Sequence, residues 1–414
     1  MKLLQVYNKY RSLFNGEDTI VEQTTHLVEK HGGEVRVMLR SSRDIDTGLI
    51  GKTSAFLSGI YSRRAYQDMK RVLREDRPDV VHVHNLYPLF SPSILVACRR
   101  ANVPVVVSIH NQQMTCPKSD HLYRGKICER CIGGNEYNCV LQNCRGNFFE
   151  SIAYATRSLV ARKMQFFHNN VTLLIALSQF AKRRLIEAGF RDEQIVVLPN
   201  MVRLGSQPVE SDKGRYVAFA GRMSPEKGVE TLLAAARELP EIKVRLAGGG
   251  PTETQLRSKS PPNVRMLGLL KSEAMESLYR GARFFVLPSR SYEMCPLVIL
   301  EAMSHGLPII TSRLGGQAEL VEDGVTGFLF DPNDPQDLGQ KMKRLWEDPE
   351  LCRQFGSAGF AKVQSQYGEE TYYGRLCDIY DQAISLTGGR PTRVPAAPAG
   401  SSLNSDSVAL GGQS

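Results

Sequence analysis

Two carboxylates, Glu293 and Glu301, frame the first stretch with chemistry in it, FFVLPSR-SYEMCP-LVILEAMSH over residues 284–305. The apolar run Phe284–Leu287 predicts a buried strand. Pro296 predicts a helix start, because a proline at the first helical position gives up an N–H that would have had no partner there. Glu293 then stands on the loop before the helix and Glu301 on its second turn. The N–H groups of Leu297 and Val298, at the positive end of the helix dipole, make a seat for an anion such as a diphosphate. Glu293 can reach a polar ligand beyond the strand ends, and Glu301 can accept two adjacent hydroxyls, as a ribose presents them. Taken singly, either glutamate reads equally as solvated surface.

A second stretch narrows that choice. The apolar residues Tyr216–Ala220 are followed by Gly221-Arg222-Met223-Ser224-Pro225-Glu226-Lys227-Gly228 and then by the helical run VETLLAAARELP. Two cations thus stand on a glycine-bounded strand-to-helix loop, where open α/β sheets bind ligands. The planar fork of arginine and the point charge of lysine both suit phosphate oxygens. Further on, Gly248-Gly249-Gly250-Pro251 follows another apolar strand and leaves room for a nucleotide to approach the backbone.

With these residues in view, the chain resembles the retaining glycosyltransferases of family 4, also called group 1, whose two-lobed architecture is known as GT-B. The resemblance rests on the G-R-x-S-x-E-K-G loop, the E-x7-E element, ALS at 176–178, LPN at 198–200, and GLPII followed by ELVEDGVTGFLF. It implies an α/β protein of two Rossmann-like doubly wound lobes facing a cleft. The activity it implies is transfer of a sugar from a UDP-, GDP- or ADP-linked donor to a hydroxyl acceptor, with retention and no catalytic metal or cofactor. The acceptor would be a polysaccharide, a lipid-linked glycan or a small glycoside. Carried over residue by residue, Arg222, Lys227 and the helix start at Pro296, Leu297 and Val298 would hold the diphosphate. Glu293 would hold the donor sugar and Glu301 the ribose. Gly249 would lie against the nucleotide, and the backbone near Leu267 would meet the base. His110, ending the VSIH strand, would face the donor sugar. Family members usually carry a Gly-Gly pair after the first strand; here Asn15-Gly16 stands in its place, and Gly16 is the residue expected at the donor. Met294 occupies a position where small residues are common, which leaves the donor sugar open.

Other readings stay open on the same residues. An epimerase or hydrolase of this fold would release sugar without needing an acceptor. A noncatalytic nucleotide-binding protein would tolerate loss of Glu293, Arg222 or Lys227, and all three are present. A dinucleotide-dependent dehydrogenase is disfavoured, since no G-x-G-x-x-G follows the first strand.

These residues need a scaffold, and the length of the chain bounds it. At 414 residues, two domains of roughly 200 residues each are expected. Strands are predicted at 3–7, 35–39, 80–84, 105–109, 173–176 and 195–198, then at 216–220, 243–247, 264–267, 284–287, 309–311 and 327–330, with amphipathic helices between them, as a doubly wound parallel sheet requires. The division expected is an acceptor-side lobe over 1–204 with a Cys-rich insert at 111–147, a nucleotide-sugar lobe over 205–366 opening on the polar linker Gly205–Gly214, a helix at 367–387 crossing back to the first lobe, and a Gly/Pro/Ala/Ser-rich tail at 388–414 expected to be disordered.

Hydrophobic residues make up 42% and charged residues 23%, the balance of a globular protein. No apolar run approaches about 18 residues, and MKLLQVYNKY reads as a first strand rather than a signal peptide. A cytoplasmic protein is expected, at most resting on the inner face of the membrane. The net charge of +9 is uneven: residues 1–200 hold 28 Lys+Arg against 18 Asp+Glu, and the remainder 24 against 25. A basic first lobe suits an anionic membrane surface or a phosphorylated acceptor, or is a generic basic surface. Nucleic acid is not expected, because the basic residues are dispersed and no binding motif is present.

Five of the nine cysteines cluster at Cys116, Cys128, Cys131, Cys139 and Cys144. A C-x2-C pair with two further thiolates can close a structural zinc site, so Cys128, Cys131, Cys139 and Cys144 are the expected ligands, with Cys116 as the substitute for Cys139. Reduced, unligated thiols are the alternative. The next segment, Phe148–His168, is amphipathic with Arg157, Arg162 and Lys163; packing on the core is favoured over lying in a membrane interface.

Overall fold

The computed structural model describes residues 1–9, 16–42, 56, 58–204 and 207–389. Two six-stranded parallel sheets organise the chain. The first contains β1 (Lys2–Lys9), β2 (Glu34–Ser41), β3 (Val80–Asn85), β4 (Val105–Ile109), β7 (Leu173–Ala176) and β8 (Ile195–Val197), in the spatial order β2-β1-β3-β4-β7-β8. The second contains β9 (Val217–Ala220), β10 (Val244–Ala247), β11 (Val264–Gly268), β12 (Phe284–Leu287), β13 (Ile309–Ser312) and β14 (Gly327–Phe330), in the order β11-β10-β9-β12-β13-β14. The inner strands β3, β4, β7, β9, β12 and β13, and the edge strand β14, are buried along their whole length. Helices cover both faces of a doubly wound sheet, so these strands are continuous apolar runs rather than alternating ones. Four of the strand positions expected from the sequence coincide with these, and the others differ by one or two residues at an end.

The helix Glu369–Leu386 lies on the first lobe. Tyr380 meets His82 at 2.7 Å, His31 stacks on Tyr373 at 3.9 Å, Lys30 pairs with Glu370 at 2.6 Å, and Arg375 donates to the Val197 carbonyl at 2.7 Å. Several sequence expectations fall outside the described residues: Asn15 of the first loop, Gly205 of the linker, and the tail beyond Gly389.

The Cys-rich region carries a two-stranded hairpin that the sequence reading missed, β5 (Leu122–Tyr123) and β6 (Lys126–Ile127). Its two turn residues, Arg124 and Gly125, have φ of 49° and 76°, the left-handed pair that a tight two-residue hairpin needs. An Arg-Gly turn lacks the usual Asn-Gly or Asp-Gly signal, which is why it went unseen.

The structure gives the zinc expectation no assembled ligand set. Among the described residues, no group of three or more His, Cys, Asp or Glu side chains stands where it could hold a metal ion. Cys128, Cys131, Cys139 and Cys144 are all free thiols. The Cys128 thiol lies 4.0 Å from Gln142 Oε1, and Cys139 is buried on the short helix Tyr137–Leu141. Burial, then the neighbouring thiols, push the Cys139 thiol up to about 12 and raise Cys131 and Cys144 too, so the neutral forms are favoured. Sequence spacing gathered the cysteines into one neighbourhood but did not turn three of them to one point.

Candidate active site

The strand order of the second sheet decides where its loops meet. β9 and β12 are neighbours, and the chain leaves β9 toward β10 on one side and β12 toward β13 on the other. The crevice beyond their carboxyl ends is the switch point where such sheets bind ligands. The loop after β9 carries Arg222 and Lys227; the loop after β12 carries Glu293.

Two features lock these loops together. The Arg290 N–H donates to the Glu226 carbonyl at 2.7 Å. Gly228 has φ +65°, and a Cβ there would sit 1.9 Å from the Pro288 carbonyl oxygen, so only glycine permits the approach. Lys227 Nζ consequently reaches Glu293 Oε1 at 2.7 Å, and the same oxygen accepts from Ser289 Oγ at 2.7 Å. Both side chains are largely sheltered, at 23% and 17% exposure.

Arg222 is arranged differently. It is 56% exposed and pairs with Glu226, which also accepts from Ser224 Oγ at 2.6 Å. Burial works against the Glu226 carboxylate, but the Ser224 and Arg222 hydrogen bonds outweigh it and hold it below the usual range. Arg222 is therefore held on its own loop.

The helix after the Glu293 loop runs Leu297–Ser304, with Pro296 as its N-cap in extended conformation. The start expected at Pro296 is thus one residue early. The proline fixes the entry, and the N–H groups of Leu297 and Val298 remain in the first turn, where a helix has no internal acceptors. Across the cleft, the helix Gly16–Lys30 begins directly opposite: a Cβ on Gly16 would lie 3.2 Å from Leu297 Cδ1. Two helix N-termini, one from each lobe, thus face the same space. Glu301, on the second turn, accepts from the Tyr279 hydroxyl at 2.7 Å through Oε2. Burial raises its pKa, with Tyr279 opposing that. Gly249 sits at the end of β10 against Leu269, where its Cβ would be 3.3 Å from Leu269 Cγ, and Leu267 lies in β11 next door.

His110 follows β4, and its Nε2 lies 3.1 Å from His84 Nδ1, with the rings stacked at 5.3 Å. Burial pulls His110 down to about 4 and His82 to about 3, so both are neutral at pH 7. His82, His84 and His110 form a ladder from Tyr380 to the cleft, with His82 and His84 rings 4.1 Å apart. The sequence reading took up His110 alone. The missed signal was the His-Val-His alternation in β3, which puts His82 and His84 on one face.

Other cleft residues also went unseen. Gln112 Nε2 approaches Met294 Sδ at 2.9 Å, and Tyr292 donates to Glu129 at 2.6 Å, with Arg184 paired to the same carboxylate. Glu319 accepts from the Gln179 and Phe180 N–H groups at 2.8 and 2.6 Å, capping the first-lobe helix that starts there. Asn200 Nδ2 donates to the Cys295 carbonyl at 2.8 Å. These contacts hold the two lobes together around the crevice.

Two doubly wound lobes with a cleft site at a strand switch point define the GT-B architecture. Solved structures agree: the chain superposes on a sucrose-phosphate synthase of Thermosynechococcus elongatus with a TM-score of 0.71, at 18% identity over 93% of this chain and 99% of that one. It matches HepE of Anabaena, solved in complex with UDP and glucose, with a TM-score of 0.64, at 18% identity over 92% of this chain and 99% of that one. In sequence, the family model described as glycosyltransferase family 4 matches residues 16–205 and the one described as glycosyl transferases group 1 matches residues 205–362. The chain belongs to this glycosyltransferase family. A sulfoquinovosyl transferase of Arabidopsis thaliana is 30% identical over 220 residues, which is 47% of this chain and 42% of that protein. The match therefore spans less than half the length of that relative.

Proposed function

We propose that the protein transfers a sugar from a nucleotide diphosphate sugar to a hydroxyl acceptor in the cleft between its lobes, with retained anomeric configuration. The observation that carries this is the Lys227–Glu293 pair at the β9/β12 switch point, 2.7 Å apart, beside the start of the Leu297 helix. The chief need in breaking a glycosyl diphosphate is to stabilise charge growing on the leaving oxygens. Lys227, a freed Arg222 and the Leu297 and Val298 N–H groups supply that charge. Glu293 holds donor-sugar hydroxyls, Glu301 takes the ribose through Oε1, and neutral His110 bonds a sugar hydroxyl without adding charge. Residues 205–366 act as the donor lobe and residues 1–204 as the acceptor lobe.

In the transfer, the bond from the anomeric carbon to the diphosphate oxygen breaks as the bond to the acceptor oxygen forms on the same face. The acceptor proton passes to a phosphate oxygen, so no external base is required. A UDP-bound neighbour of the same fold supports beginning the donor search with UDP. The test is a thermal-shift screen of UDP-, GDP- and ADP-sugars: at least one raises the melting temperature, and no rise with any of them defeats the donor-site assignment.

A further inference from the structure

Core packing was the favoured expectation for Phe148–His168, and the segment meets it at Ala161 and Phe167, but most of its first helix does not take part. The helix Phe148–Lys163 buries only Ser151, Ala155 and Ala161. Five of its residues are exposed: Phe148, Phe149, Ile152, Leu159 and Lys163. Four are large and apolar and the fifth is a cation, which inverts the usual polar outward face of a surface helix. Phe149 is 79% exposed and Phe148 54%; nearby Leu141 is 76% and Tyr137 59%. Seven of the fourteen exposed large apolar residues in the described chain fall between residues 137 and 164. Such a concentration marks a docking surface rather than scattered exposure.

We propose that this face docks on an anionic lipid bilayer, with Phe148, Phe149, Ile152 and Leu141 entering the acyl boundary. Charge selects the occupant. The acids of this region are engaged by arginines: Glu136 with Arg162 at 2.6 Å, Glu150 with Arg145 at 3.7 Å, and Glu129 with Arg184. Lys126, Arg130 and Lys163 are exposed, and the Arg130 carbonyl accepts from Asn138 Nδ2 at 2.9 Å, next to Tyr137. An apolar stripe with Lys163 on the same helix and further exposed cations in the neighbouring insert suits lipid headgroups of negative charge. No helix among the described residues is long and apolar enough to cross a membrane, so the contact lies on the surface. The face belongs to the lobe whose Gln112 and Glu129 already meet the second lobe at the cleft. The inference stands independently of the transfer reading.

The test is flotation of the full chain with phosphatidylcholine vesicles and with vesicles containing about one third phosphatidylglycerol. The protein should float with the anionic vesicles, less so at high salt. The double variant Phe148→Ser/Phe149→Ser should weaken binding by about tenfold or more, and Lys163→Glu by several-fold. Both sites are exposed, so melting temperature and nucleotide-dependent stabilisation should match wild type, which separates failure here from failure of the donor site. No flotation with anionic vesicles overturns the proposal, as does flotation that both variants retain in full. A dimer in sedimentation that disappears in the double variant would assign the face to a second copy instead.

Discussion

Replacing Lys227 with alanine removes the one lysine at the β9/β12 switch point and leaves Glu293 with Ser289 as its remaining partner. A charge-assisted contact to phosphate is worth about 1.5–3 kcal/mol, so nucleoside diphosphate affinity should fall by roughly 10- to 150-fold. At a ligand concentration about 100 times the wild-type Kd, binding stabilises the wild type by about 2.7 kcal/mol. A variant weakened about 100-fold retains about 0.4 kcal/mol under the same conditions. For a cooperative unit of about 400 residues this is a ligand-induced rise of about 3 °C shrinking to about 0.5 °C. The ligand-free variant should itself be less stable by about 1 kcal/mol, because the pair is only partly sheltered. Each protein's shift is therefore measured against its own ligand-free melting temperature. A full rise in Lys227→Ala with the best nucleotide would place the phosphates elsewhere and refute the reasoning.

Glu301→Gln should lower nucleoside diphosphate affinity by about tenfold while leaving inorganic pyrophosphate binding unchanged; equal losses for both would remove Glu301 from the ribose. Acid should destabilise the fold early. His82 and His110 are held at about 3 and about 4 when folded, against about 6.5 unfolded. The unfolded chain therefore binds more protons below pH 6.5, and stability present above that pH drains away as pH falls toward 4. For His82 the loss reaches roughly 2 kcal/mol by pH 5; urea midpoints at pH 7.5 and 5 should show it, and a His82→Gln variant with an undiminished pH slope would contradict it. Metal analysis of protein purified without chelators should find well under one equivalent of zinc, and a full equivalent lost in Cys128→Ser would restore the four-thiolate site.

The alternating pattern was legible because each element is specified locally. Runs such as Val105–Ile109 and Phe284–Leu287 can only be buried strands once amphipathic helices flank them, and their bounds emerged within a residue or two. The loop after β9 was legible for the same reason: a strand, a glycine-bounded turn and a helix written consecutively. Even the short hairpin at 122–127 failed locally, through a turn pair of uncommon type. Half of the histidine ladder was legible in the His-Val-His alternation of β3, but its meeting with His110 and the closure contacts were not, since partners such as Tyr292 and Glu129 are far apart in the chain and nothing in either segment names the other.

The amino-acid order by itself determined the two doubly wound lobes, the family, and which loops carry cations and carboxylates, because periodicity and turn chemistry act over a few residues. Only the tertiary structure decided that Gly16 faces Leu297, that Glu226 holds Arg222 aside while Lys227 meets Glu293, that the cysteines share a neighbourhood without a common focus, and that four apolar residues of one helix look outward. Side-chain partnership depends on how distant segments are packed, and packing is a property of the whole fold.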